Sequence, residues 1–129
     1  MPTQAELVEF ALSRSRDAAE LWNFYIIVVS AIIVLFSSGR TVVTERRVKA
    51  AAAIIFGLFA IGNLYALFEI NEQRVAFVSL ITEPGLQTVA ATIRPGPVVA
   101  YLGFHILLDL VVVIGILFVP WPVEPKGKA

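Results

Sequence analysis

His105 and Asp109 stand four residues apart in an otherwise aliphatic stretch. On a helix that spacing brings an imidazole and a carboxylate onto one face, and Tyr101 lies a turn earlier on the same stripe. A His–Asp pair beside a phenol can hold or pass a proton, or hydrogen-bond one helix to another. One His and one Asp leave a metal under-coordinated, so no metal site is expected. Haem ligation by His105 would need a second axial ligand from another chain. Among cofactors, only haem or a quinone at His105 is worth considering, and neither is expected. No catalytic residue is assigned: the chain has no Gly-rich phosphate loop, no H-E-x-x-H and no G-x-S-x-G.

The elements that must hold this pair are long and apolar. Residues 21–36, 50–68 and 98–119 are three hydrophobic runs in a chain of 129 residues that is 58% hydrophobic. Each is near the ~20 residues a helix needs to cross ~30 Å of hydrocarbon. Only Asn23, Asn63, His105 and Asp109 break them with strongly polar side chains. A soluble domain this small cannot bury three such segments, because most of its helices keep one wet face. The expected fold is therefore an all-α integral membrane protein. It has three transmembrane helices, an N-terminal helical extension and a structured outer loop between helices 2 and 3. Along the chain these are an extension at 1–20, a first span at 21–37, a loop at 38–49 and a second span at 50–69. An outer loop or cap at 70–97, a third span at 98–119 and a tail at 120–129 follow.

Charge orients the drawing. The loop at 38–49 holds Arg40, Arg46, Arg47 and Lys49 against Glu45, and the tail adds Lys126 and Lys128. Four basic residues, Arg14, Arg16, Arg74 and Arg94, fall on the other side. Short basic loops stay cytoplasmic, which predicts the N-terminus outside and the C-terminus inside a bacterial cytoplasmic (inner) membrane. Trp22, Tyr25, Tyr65 and Tyr101 then form an outer aromatic belt, and Trp121 an inner one. Residues 1–20 are too acidic for the basic segment of a signal peptide, so the first run is read as a retained span. Net charge is zero and cysteine is absent, so nothing calls for nucleic acid and no disulfide is available.

Thr3 with Glu6 three residues on predicts a capping box that starts a helix. In the outer connector, residues 75–82 and 86–93 are apolar and β-branched around Glu83-Pro84-Gly85. A β-hairpin or helical cap on the outer surface is expected there. A loop dipping back into the membrane would need protein or water around its freed backbone groups. Asn63 sits about 9 Å below the outer end of the second run, and His105 is at a comparable depth in the third. His105, Asp109, Tyr101 and Asn63 are accordingly predicted to form one polar cluster. Ala53, Gly57, Gly62 and Gly103 are small enough to allow close helix packing.

These features predict a small non-catalytic subunit of a larger membrane assembly, docked in the lipid bilayer against other membrane subunits or against copies of itself. A self-oligomerising pore former is the alternative. The chain resembles holins in its three spans, its orientation and its small size, although its tail is less basic than is usual there. A further alternative is a redox or proton/ion transport component using His105 and Asp109.

Overall fold

The computed structural model describes residues 2–122, and the tail lysines Lys126 and Lys128 lie outside the described residues. Four α-helices follow in order: α1 Gln4–Ser37, α2 Arg46–Ser79, α3 Pro84–Ile93 and α4 Val98–Phe118, with a short 3-10 turn at Thr41–Thr44 between the first two. No strand occurs among the described residues. The fold is an all-helical one with three helices long and apolar enough to cross a membrane.

Helix α1 begins as its sequence predicts. Thr3 Oγ1 accepts from the Glu6 amide at 3.3 Å, and Glu6 Oε2 accepts from the Thr3 amide at 2.6 Å. Those bonds from Thr3, the backbone one first, hold the Glu6 carboxyl below its ordinary pKa. The helix then runs for 34 residues without interruption, so the N-terminal extension and the first span are one rod. It ends at Ser38, after which Gly39 takes a φ of 72°, the left-handed conformation that a residue with no Cβ adopts without steric cost.

Helix α2 is also 34 residues long and is the central element: 28% of its most apolar window is buried, against 11% in each of the other two. Both long helices measure about 50 Å at helical rise and so project well beyond a ~30 Å hydrocarbon layer. This shortens the connectors. The first loop covers only 38–45, and residues 70–79, placed in the outer loop by sequence, continue α2. Of the two forms expected for the surface cap, the helical one is built. Extending a formed helix adds one hydrogen bond per residue fixed, so propagation overrides the β-branched character of Val75 and Val78.

Two apolar clusters hold the rods together. One runs along the spans and takes in Val43 of the first loop: Tyr25, Phe36, Val43, Phe56, Ala60 and Ile116. The other joins the projecting ends of α1 and α2 to α3, through Leu7, Ala11, Val78, Ile81 and Ala90. Helix α3 thus packs on the tips rather than returning between the spans. Gln4 fixes the turn leading into it: its Oε1 accepts from the Thr82 and Glu83 amides at 2.7 and 3.2 Å, and its Nε2 donates to the Leu80 carbonyl at 3.2 Å. Three backbone groups freed at a helix boundary are thereby satisfied by one side chain. At the opposite end Lys49 Nζ donates to the Val119 carbonyl at 3.1 Å, placing a cation at the C-terminus of α4.

Candidate functional site

Between the two apolar clusters lies a polar chain that crosses all three long helices. His105 on α4 is completely buried. Its Nε2 lies 3.1 Å from Asn63 Nδ2 on α2, and its Nδ1 lies 2.9 Å from Asp109 Oδ2 one turn along α4. Asp109 Oδ1 accepts from the Tyr25 hydroxyl of α1 at 2.8 Å. Asn63, His105, Asp109 and Tyr25 are therefore linked in series.

The donor pattern fixes what such a chain can do. With the Asn63 amide donating to Nε2, the imidazole is neutral with its proton on Nδ1, and it donates that proton to Asp109. Turned over, the same amide presents oxygen and accepts from a ring protonated on both nitrogens. Asparagine can therefore satisfy His105 in either state. Asp109 accepts from two helices at once, and its side chain retains 17% exposure while that of His105 retains none. The member of the chain that meets the surroundings is the Asp109 carboxylate.

Aromatic rings wall this layer. Trp22 and Tyr25 stand 5.2 and 4.8 Å, centre to centre, from the His105 ring. Trp22 also meets Tyr101 and Phe104, each at 6.2 Å, while Phe36 meets Trp121 at 5.5 Å near the other end. Helices α1 and α4 meet chiefly through these long side chains, with α2 packed closely against both.

No family model, curated protein or solved structure matches the chain. What can be said of the site comes from its own residues.

The structure brings together three of the four residues predicted for the cluster: Asn63, His105 and Asp109. Tyr101 lies against Trp22, and its hydroxyl is buried without a partner instead of joining the chain. Tyr25 takes the expected phenol's place. Its position was legible only as an interfacial aromatic, because the apolar run starts at Leu21. Further out, Asn71 is buried and accepts from Arg74 Nη1 at 3.1 Å, and Arg74 Nη2 donates to the Ile93 carbonyl at 2.9 Å. Burial lowers the Arg74 pKa from its ordinary value, but a guanidinium remains a cation at any physiological pH.

Both His105 ring nitrogens are occupied. An axial haem ligand at Nε2 would have to displace Asn63. Among the described residues no three His, Cys, Asp or Glu side chains converge as a metal site would require. Of the residues predicted for helix packing, Ala53 packs partly within the chain. A Cβ built on Gly57, Gly62 or Gly103 meets nothing within 4 Å, and the same holds for Gly115.

Proposed function

We propose that this chain is a small non-catalytic subunit of a larger membrane assembly, docking through the lipid-facing sides of α2 and α4. The observation that carries the reading is the vacancy around its membrane glycines. A side-chain carbon on Gly57 or Gly62 of α2, or on Gly103 or Gly115 of α4, would meet no neighbour within 4 Å. The polar groups of the spans, by contrast, are largely tied off internally. Small residues that are not used for packing at home offer close backbone approach to another helix, where contact and not the hydrophobic effect drives association. The same faces suit self-assembly into a homo-oligomer, the holin-like alternative.

Gly57→Leu tests the docking face. With open space at the site, the substitution should leave the fold of a single chain unchanged and yet shift its complex to smaller size on native gels. An unchanged complex removes this face from the interface. The partners recovered with the wild-type protein then separate a hetero-assembly from a self-associated one.

Orientation belongs to the same proposal: N-terminus outside and C-terminus in the cytoplasm of a bacterial inner membrane. The support is the basic 38–49 region, whose Lys49 sits at the same end of the bundle as the close of α4. A cysteine replacing exposed Gln87 in α3 should react with an impermeant thiol reagent on intact cells, and one replacing Ser38 should not. The reverse labelling overturns the orientation.

A second reading, proton handling by His105 and Asp109, is favoured by one observation. The serial chain contains a carboxylate, Asp109, that is not fully enclosed, and Asn63 can serve either ring state.

A further inference from the structure

At the α3 end of the bundle, away from the 38–45 loop, a cavity of about 370 Å³ is bounded by α1, α2 and the turn leading into α4. Two guanidiniums, Arg74 and Arg94, line it, together with Ser15 and Tyr101. No carboxylate is among its lining residues. Arg74 is clamped by its bonds to Asn71 and the Ile93 carbonyl, which fixes the plane of the guanidinium. Its remaining Nε–H is buried with no acceptor, and the Tyr101 hydroxyl is buried and unpartnered as well. Neither arginine has an acidic partner among the described residues.

Buried polar groups are almost always satisfied, so a cavity lined by the two residues that carry these orphans, beside a second cation, describes an incomplete site. What is missing is a group that only accepts and carries negative charge. Arginine forks match the planar or tetrahedral oxygens of carboxylate and phosphate. Apart from Asn71, the rest of the wall is apolar, with Trp22 and Val98 among it, and these two residues sit at the start of two membrane-spanning runs. That is the depth at which an amphiphile keeps its head in the interface and its tail in hydrocarbon.

The geometry points to a binding site for an oxyanion head group in this cavity, held by Arg74, Arg94 and the Tyr101 hydroxyl. It is a ligand site distinct from the docking faces of α2 and α4. An anionic phospholipid and a free phosphate share the required chemistry, and the test separates them.

The full chain is reconstituted in phosphatidylcholine nanodiscs and titrated with phosphatidylglycerol and, separately, with inorganic phosphate, bound ligand being counted by native mass spectrometry. Phosphatidylglycerol should bind in preference to phosphatidylcholine. Arg74→Gln should weaken it by about tenfold or more, as loss of a charge-assisted bond does, and Tyr101→Phe by a smaller factor. Arg94 is exposed, so Arg94→Gln keeps the test intact should the Arg74 variant fail to fold. Arg14→Gln, on an exposed arginine paired with Asp17 and outside the cavity, should change nothing. Saturable phosphate binding lost in the same variants, without a lipid preference, assigns the site to a soluble oxyanion. Equal binding by wild type and the Arg94 and Tyr101 variants, or no preference for either anion, overturns the site.

Discussion

Replacing Asp109 with alanine should destabilise the helix bundle by about 2–4 kcal/mol, because it removes one acceptor that serves two donors. The His105 Nδ1–H and the Tyr25 hydroxyl would both lose their partner inside a low-dielectric layer, where an unmade bond costs more than an average one contributes. A single interhelical bond in a membrane is worth only about 0.6 kcal/mol on average, since separated helices also find partners. Two simultaneous losses on different helices lift Asp109 above that level. Tyr25→Phe, which removes one bond and leaves the carboxylate bound to His105, should cost no more than about 1 kcal/mol. Reversible unfolding in mixed micelles measures both, and a loss below that of Tyr25→Phe for the alanine variant would refute the role of Asp109 as the link between α1 and α4. Asp109→Asn then separates structure from chemistry. Asparagine keeps the shape and much of the bonding but cannot titrate, so intact assembly with lost activity favours proton handling, and retained activity favours the structural reading.

Leu7→Ala should have a comparable effect for a different reason. Leu7 is buried against Ala11, Val78, Ile81 and Ala90, beyond the apolar runs, where the alternative to burial is water. Truncation there forfeits both transfer free energy and packing, at about 2–4 kcal/mol. The same kind of truncation at Phe56, inside the spans, forfeits packing alone, because lipid is as apolar as the protein interior. Hydrogen exchange should therefore accelerate in α3 and the ends of α1 and α2 in the Leu7 variant, with the centres of the spans unchanged. If α3 keeps its protection, the cluster around Leu7 is not what holds it.

The spans were legible because a bilayer imposes a length and a composition on anything that crosses it, and the residues of 21–36, 50–68 and 98–119 meet both. The capping box was legible because Thr3 and Glu6 satisfy each other locally. Depth counting from the run ends placed Asn63 near His105, and it worked because both runs end at charged or proline-rich segments that do mark a boundary. It missed Tyr25, which lies only four residues inside the run that begins at Leu21 and so reads as an interfacial ring, although α1 brings its hydroxyl to Asp109. Residues 70–79 misled for a related reason. Their β-branched content is a local signal, whereas the helix arriving from residue 46 is a cooperative one. Buried Leu67, Asn71 and Val78 recur at helical spacing, and that pattern was the signal available. The role of Gln4 depends on a turn 76 residues away and leaves no trace in local sequence.

The aromatic seam between α1 and α4 contains both tryptophans of the chain. Trp22 on α1 stands beside the His105 ring, and Trp121, just past the end of α4, stands beside Phe36 near the opposite end. The molecule thus carries two intrinsic fluorophores, one at each end of the contact they help to form. Indole emission depends on what the ring touches, so the light from Trp22 follows the packing of the His105 layer and that from Trp121 the packing of the far end. A variant that keeps only one indole reads either the order of the histidine layer or the closure of the far end, without any label being attached.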